Sequence, residues 1–306
     1  MTPSVRLTQD VELAANILRE GGIIGLPTET VYGLAALADN EAAVKRVFET
    51  KGRPAHHPLI VHLGPRVNPE NWGIFNDVAR ALAKAFWPGS LTLLVPRTDR
   101  VSDWVTGGRD TVALRVPSHP MALQLLNDVG TGVVAPSANR FGKVSPTTAQ
   151  HVVDDLGADV DIVLDGGPCE VGLESTIVEC VGEAVRILRP GVISVEDIRR
   201  VTSLVDEKDD GEARAPGMLA SHYAPVAEVK LFESRREADE EIEKLARAKR
   251  SSTLVFYDDV RLYAENLYSD LRDADRQGIH VVCAVLPEDI GIGTAIRDRL
   301  AKAAHR

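Results

Sequence analysis

The sequence predicts an α/β protein in two parts: a larger domain with a mixed sheet over 1–202 and a smaller α/β domain over 229–306, joined by a linker over 203–228. Three observations carry this. Segments of helical spacing alternate with short apolar runs through the first 202 residues, the pattern of a sheet flanked by helices. Acids together with Gly211, Pro216, Gly217 and Pro225 then end all periodicity. Beyond them the alternation resumes for long enough to build one more small unit.

Each element follows from its own residues. Leu13, Ile17 and Leu18 share a face of a helix over 8–20, with Asp10 and Glu12 in its first turn and Gly21-Gly22 as its stop; Ile23 to Leu26 follows as a strand. A helix over 40–50 sets Val44, Val47 and Phe48 on one side and ends at Gly52, and another over 77–87 ends at Gly89 before the strand Leu91 to Val95. In the strand 111–117, Val112, Leu114 and Val116 point one way and Ala113 and Arg115 the other. Pro120 opens a helix that Gly130 closes, a strand covers 132–135, and Ser145 is placed as the N-cap of a helix over 146–156. Strands over 161–165, 175–179 and 184–189 precede a helix that Ser194 and Asp197 open as a capping box. In the smaller domain the order is strand 228–233, a helix capped by Ser234 and Glu237, strand 253–257, a polar helix over 259–270, strand 279–286 and a helix over 292–304.

Composition excludes several classes. Hydrophobic residues make up 44% of 306 and charged residues 26%, which is globular rather than disordered or fibrous. No apolar run approaches the roughly 18 residues of a membrane helix, and the acids near the N-terminus are unlike a signal peptide, so a cytoplasmic protein is expected. Cys169, Cys180 and Cys283 form no CxxC pair and read as buried thiols. A net charge of −10 opposes the phosphate backbone of nucleic acid, so no strong direct binding to it is expected.

The chemistry gathers in loops that follow strands. Thr28, Glu29 and Thr30 follow the first strand, Ser137 and Asn139 follow the strand at 132, and Ser175-Thr176 lie beside Gly172. Lys51, Arg53 and His57 share a Gly/Pro loop, Arg115 faces away from the apolar side of its strand, and Arg189 precedes Pro190-Gly191. A polyphosphate asks for this mixture, because hydroxyls and backbone N–H groups supply directed bonds while guanidinium and ammonium groups neutralise several charges. No phosphate-loop, GxSxG, HExxH or GxGxxG motif competes with that reading; Gly291-Ile292-Gly293 starts only the last helix.

Taken in order, Pro27-Thr28-Glu29-Thr30-Val31-Tyr32-Gly33, Lys51-Gly52-Arg53-Pro54, Pro58-Leu59-Ile60-Val61-His62, Pro136-Ser137-Ala138-Asn139, Glu174-Ser175-Thr176-Ile177 and Leu188-Arg189-Pro190-Gly191 resemble the successive motifs of the YrdC-domain family. The stretch Ala215-Pro216-Gly217-Met218 with Ser221-His222-Tyr223-Ala224-Pro225 is similar to the linker of its long, two-domain form, and Gly291 to Ala304 to the close of the C-terminal domain. The resemblance implies a YrdC-like twisted mixed sheet and a small Rossmann-like C-terminal domain. It also implies a reaction, in which L-threonine, bicarbonate or CO2, and ATP with Mg2+ give threonylcarbamoyl-AMP and pyrophosphate, for downstream proteins that transfer threonylcarbamoyl to tRNA.

Carried over by motif, Lys51 and Arg53 are the expected catalytic cations. Arg53, His57, Thr111, Ser137, Asn139, Ser145, Arg189 and Tyr223 are expected at ATP, and Thr28 or Thr30, His62, Arg115 and Ser175 at threonine; no metal ligands are assigned. Two departures stand out. The family usually has Asn where this chain has His57, which introduces an imidazole that titrates near neutral pH and makes nucleotide affinity pH-sensitive. The linker has Leu219, Ala220 and Ser221 where basic and aromatic residues are usual, so closure of a linker lid falls to His222 and Tyr223. Two alternatives remain: an RNA-binding module of the same fold without adenylate synthesis, and a relative that makes carbamoyl adenylate from carbamoyl phosphate.

Overall fold

The computed structural model describes residues 6–182, 184–206 and 223–305. The first unit holds strands β1 (Arg6–Thr8), β2 (Ile24–Leu26), β3 (Gly33–Leu37), β4 (Ile60–His62), β5 (Leu91–Pro96), β6 (Thr111–Arg115), β7 (Val133–Val134), β8 (Ile162–Leu164), β9 (Thr176–Glu179), β10 (Val185–Arg189) and β11 (Val205–Asp206). Helices α1 (Val11–Arg19), α2 (Glu41–Lys51), α3 (Asp77–Phe86), α4 (Asp103–Thr106), α5 (Pro120–Val129), α6 (Ala149–Leu156) and α7 (Val195–Arg199) run between them. The strands form one mixed sheet in the order β1-β8-β2-β3-β7-β4-β6-β5-β9-β10-β11.

Side-chain alternation divides this sheet into two faces. Val61, Leu93, Val112, Leu114 and Val178 join the main apolar core beneath α2 and α3, while the alternate positions Ile60, Leu94, Ala113 and Ile177 make a small cluster on the opposite face. Parallel pairing of β4 with β6 sets His62 against Arg115 on that second face. A further core joins α1 and α5 to β2 and β8.

The second unit is a parallel three-stranded sheet, β12 (Glu228–Phe232), β14 (Val281–Val285) and β13 (Ser252–Val255) in that order, with α8 (Arg235–Arg247), α9 (Val260–Arg276) and α10 (Ile292–Ala304). It leans on the first through α9 and α10, which share an apolar cluster with Val31, Val144 and Leu173. Gly172 permits the approach: its φ is +76°, and a Cβ there would stand 2.4 Å from the Ala264 carbonyl oxygen.

Most sequence-read elements are present, with both capping boxes formed at Ser194/Asp197 and Ser234/Glu237. Three expectations change. The helix placed over 146–156 begins at Ala149, because Thr148 rather than Ser145 caps it by accepting from the His151 N–H. Helix α9 continues to Arg276, since Leu271 and Ala274 extend its buried stripe through a charged run. Within the stretch read as linker, Val205–Asp206 pairs with β10 as an edge strand and Glu228 already belongs to β12. The lid expected from Ala215 to His222 lies outside the described residues. All three cysteines are buried free thiols, and no described helix is long and apolar enough to cross a membrane.

Candidate functional site

The polar loops converge over the second face of the central strands. Short β2 and β3 pair in antiparallel fashion, so residues 27–32 fold back over the sheet. Their position is fixed by the Tyr32 N–H donating to the Pro146 carbonyl and the Ala138 N–H to the Tyr32 carbonyl. Gly33 bridges Ser137, and a Cβ on Gly33 would lie 2.9 Å from that of Ala135. A cavity opens between these loops, lined by Thr28, Thr30, Arg53, His62, Arg115, Ser137, Glu174, Ser175, Arg189 and Tyr223, with an apolar floor from Ile60 and Ala135.

At one end Arg115 is buried against Glu29. Its Nη2 donates to Glu29 Oε1 at 2.7 Å, Nη1 to Thr30 Oγ1 at 2.9 Å and Nε to the Gly89 carbonyl at 3.2 Å, with both charged side chains about 5% exposed or less. Ser90 and the Ser118 N–H complete the carboxylate shell. Burial alone would raise the Glu29 pKa; the Arg115 charge and its bond outweigh that and hold it below the ordinary carboxylate value. These bonds use three of the five guanidinium N–H groups and leave capacity for a second anion. The Thr28 and Thr30 hydroxyls lie 2.9 Å apart and the Ser175 hydroxyl 2.7 Å from that of Thr92. His62 is buried beside Arg115, and both effects lower its pKa to about 3, so its imidazole is neutral near pH 7.

At the other end stand Arg53, Ser137, Arg189 and Tyr223. Arg53 Nη2 donates to the Pro58 carbonyl at 3.1 Å and its guanidinium lies 6.0 Å from the Phe141 ring centroid. Burial lowers its pKa to about 10, with Arg189 adding to the effect, so it remains a cation at neutral pH. Arg189 donates from Nε and Nη2 to the Ser175 carbonyl at 3.1 and 2.9 Å, and from Nη2 to the Ser175 hydroxyl at 3.1 Å. Arg53 Nε and His62 Nδ1 are buried without hydrogen-bond partners among the described residues. Buried polar atoms without partners are rare in folded proteins, and these two line the cavity, where a ligand could bond them.

Other sequence-selected residues stand behind the walls. Lys51, at the end of α2, is buried and donates from Nζ to the Ser137 and Asn139 carbonyls at 2.5 and 2.6 Å, so it fixes the Ser137–Asn139 loop instead of lining the cavity. Burial first, and then the neighbouring Arg53 charge, lower its pKa well below the ordinary lysine value. Asn139 Nδ2 closes the following turn by donating to the Arg140 and Lys143 carbonyls. Ser145 donates to Glu174 at 2.6 Å, Thr111 sits at the start of β6 opposite Pro96, and His57 packs against Phe141 with ring centroids 5.6 Å apart.

The neutral-pH titration expected at His57 does not survive this setting. Burial, then the charges of Arg53, His56 and Arg109, hold its pKa at about 4. Sequence reasoning also assigned no role to three residues. Glu29 and Glu174 lie inside quoted motifs, and their signal was an acid next to hydroxyls at a loop that follows or precedes a strand. The third, Arg299, carries its signal in position: it lies on the buried face of α10 with Ile296, Leu300 and Ala303.

In the cavity, guanidinium groups and hydroxyls meet on one sheet face. Residues 16–191 match the family model for Sua5, YciO and YrdC proteins, described as "Telomere recombination", and 193–305 match "Threonylcarbamoyl-AMP synthase, C-terminal domain". The chain belongs to this family. A threonylcarbamoyl-AMP synthase of Pyrococcus abyssi is 41% identical, covering 96% of this chain and 94% of its own length, and one of Bacillus subtilis is 39% identical over 97% and 94%. Among solved structures, P. abyssi Sua5 complexed with L-threonine superposes with a TM-score of 0.90 at 38% identity, covering 98% of this chain and 96% of its own. Escherichia coli YciO, at 23% identity and a TM-score of 0.55, shares the fold of the first unit.

Proposed function

We propose that this protein is an L-threonylcarbamoyladenylate synthase, joining L-threonine, bicarbonate or CO2 and ATP into threonylcarbamoyl-AMP and pyrophosphate. The observation that carries the reading is the convergence of Arg53, Arg115 and Arg189 with six hydroxyl-bearing or imidazole side chains in one cavity, in a chain whose full-length relatives are named threonylcarbamoyl-AMP synthases. Threonine takes the Arg115 end, with its carboxylate on the guanidinium and Thr28, Thr30, His62 and Ser175 around it. ATP takes the Arg53 and Arg189 end, with Ser137 and Tyr223 beside it.

Once the threonine amine has added to CO2 and released a proton, an oxygen of the resulting carbamate attacks the α-phosphorus. The bond from that phosphorus to the β-bridging oxygen breaks, and pyrophosphate leaves with the electron pair. The carbamate is already an anion, so the step needs proximity rather than a strong general base. Fixed cations stabilise the charge spread over the pentavalent phosphorus and the departing pyrophosphate, a task that falls to Arg53 and Arg189. Lys51 acts one step removed, by holding the Ser137–Asn139 loop rigid. Mg2+ enters as part of the substrate, MgATP, because Glu174 in the cavity wall and Glu29 behind it already bond to arginines. The product then passes to proteins that transfer threonylcarbamoyl to tRNA.

Incubation with MgATP, L-threonine and bicarbonate, followed by mass spectrometry, tests the reading. A threonylcarbamoyl-AMP ion that disappears on omitting any one substrate is expected. AMP transfer that ignored threonine and required carbamoyl phosphate would assign the cavity to the other adenylate instead.

A further inference from the structure

Among the described residues of the second unit, one charged side chain is fully buried, and it is Arg299. Its place on the apolar face of α10 is costly, since an arginine taken out of water is tolerated only when its hydrogen bonds are met in full. Two of its three nitrogens are met by the first unit. Nε donates to Glu174 Oε2 at 2.8 Å, Nη2 donates to the Pro190 carbonyl at 2.9 Å, and Nη1 meets Asp298 on its own helix. The guanidinium also lies over the Tyr223 ring, 5.3 Å from its centroid. Glu174 and Tyr223 line the cavity, and Pro190 follows Arg189, which lines it too. The bonds continue inward: Glu174 Oε1 accepts from the Ser145 hydroxyl at 2.6 Å, Oε2 accepts from the Tyr268 hydroxyl of α9 at 2.8 Å, and Tyr223 and Tyr268 stack at 5.6 Å.

From this arrangement we infer that Arg299 is a positioning residue for the nucleotide end of the cavity: acting through the Glu174 carboxylate and the Pro190 carbonyl, it fixes Ser145, Tyr223 and Arg189 and neutralises an acid that would otherwise face the phosphates. Among the described residues the second unit contributes no wall to the cavity beyond Tyr223, which precedes its first strand; it reaches the cavity's supports through this contact and through Arg272, which donates to the Val144 and Ser145 carbonyls and pairs with Asp155. The threonine end is held mainly by Glu29 and Arg115, which Arg299 does not touch, and it meets the nucleotide end at Ser175, which Arg189 bonds. Selectivity follows from that separation. Losing Arg299 leaves a buried carboxylate whose nearest remaining cation lining the cavity is Arg189, so ATP binding suffers while threonine binding does not. A residue that merely glued the two units together would affect both ligands alike.

The inference rests on the adenylate reading for which ligand lies at which end, and calorimetric binding of MgATP and of L-threonine to the full chain tests it without turnover. In Arg299→Met the dissociation constant for ATP should rise about tenfold, within the usual range for coupled buried pairs, and that for threonine should change less than about twofold. Glu174→Gln added to Arg299→Met should recover most of the ATP affinity, because the unpaired charge is gone. Equal weakening of both ligands, no weakening of ATP, or no recovery in the double variant would overturn the role. If Arg299→Met does not yield folded protein, Arg299→Lys gives the same reading. It keeps the charge but cannot span Glu174 and Pro190 together, so a several-fold rise confined to ATP supports the inference and an equal rise or none defeats it. Failure of wild-type protein to form the threonylcarbamoyl adduct would instead strike at the reaction, with the binding selectivity still deciding the role of Arg299.

Discussion

The two units are both built from strands and helices in alternation, yet they bury different things. The first encloses Thr28, Glu29, Thr30, Lys51, His62, Arg115, Asn139, Ser145, Glu174, Ser175 and Arg189, whereas Arg299 is the only charged side chain fully buried among the described residues of the second. The interior of the second is otherwise apolar, from Val282 and Ala284 on β14 to Tyr263, Leu267 and Leu271 on α9. Buried polar groups lower stability unless each is paired, so a domain that collects them does so for a task other than holding itself together. The contrast teaches where chemistry resides, and it makes the lone buried ion of the second unit meaningful because that ion points into the first.

The largest expected effect comes from breaking the ion pair that lies wholly inside the first unit. Arg115→Met should destabilise the protein by about 3–5 kcal/mol, because it strands the Glu29 carboxylate in a site with little water. Chemical denaturation would measure this, and Glu29→Gln combined with Arg115→Met should restore more than half. If the single variant were as stable as wild type, Glu29 would have found another partner and the pairing described here would not limit stability.

Next in size is an acid-stability effect at the pair joining the units. Burial would raise the pKa of Glu174, but Arg299 and Arg189 and the Ser145 bond prevail and bring it to about 2, against an ordinary value of 4.5. A group with a depressed folded pKa stabilises fully above its unfolded pKa and loses that contribution as pH falls through the folded one. Up to about 3 kcal/mol should therefore disappear between about pH 5 and pH 2. Comparing unfolding free energies of wild type and Glu174→Gln across that window checks the sign; parallel curves would mean that Glu174 titrates normally.

Arg53 sharpens the contrast differently, since it serves the cavity and little else. With one bond to the Pro58 carbonyl and an unmet Nε, its replacement by alanine should leave stability within about 1 kcal/mol. Turnover should nevertheless drop about a hundredfold, the scale of removing one preorganised electrostatic donor. A stability loss without a kinetic one would reverse that assignment.

How much of this was legible follows from the same contrast. Alternation in Thr111–Arg115 gives the two faces of β6 correctly, because one face packs in the core and the other bears the site. The segments Gly33–Leu37 and Ile60–His62 escape periodicity, since both are almost wholly buried and nothing polar marks a solvent side. Ser145 before a proline reads as a helix cap, yet a carboxylate 29 positions later takes its hydroxyl, and no local rule sees that distance. The motif residues show which groups belong to the site, while their roles depend on packing: Lys51 looks like a cation for phosphate and is spent on two carbonyls. Arg299 could have been noticed as a charge on an apolar helical stripe, but its partners lie more than a hundred residues away in the first unit.

The smallest effect is expected at His57, which packs on Phe141 behind the cavity wall. An isolated imidazole titrates near 6.5, which would tie nucleotide affinity to pH in the neutral range. Partial burial, followed by the charges of Arg53, His56 and Arg109, disfavours the imidazolium and sets the pKa at about 4. Between pH 6 and 8 the ring is therefore neutral and donates or accepts a bond much as an asparagine amide would. The KM for ATP should stay flat through that interval, and His57→Asn should change it by less than about twofold, as expected when one polar contact replaces another. A rise in KM centred near pH 6.5 that vanished in His57→Asn would show that the imidazole gains a proton there, which requires Arg53 to lie farther from it than the packing of both against Phe141 allows.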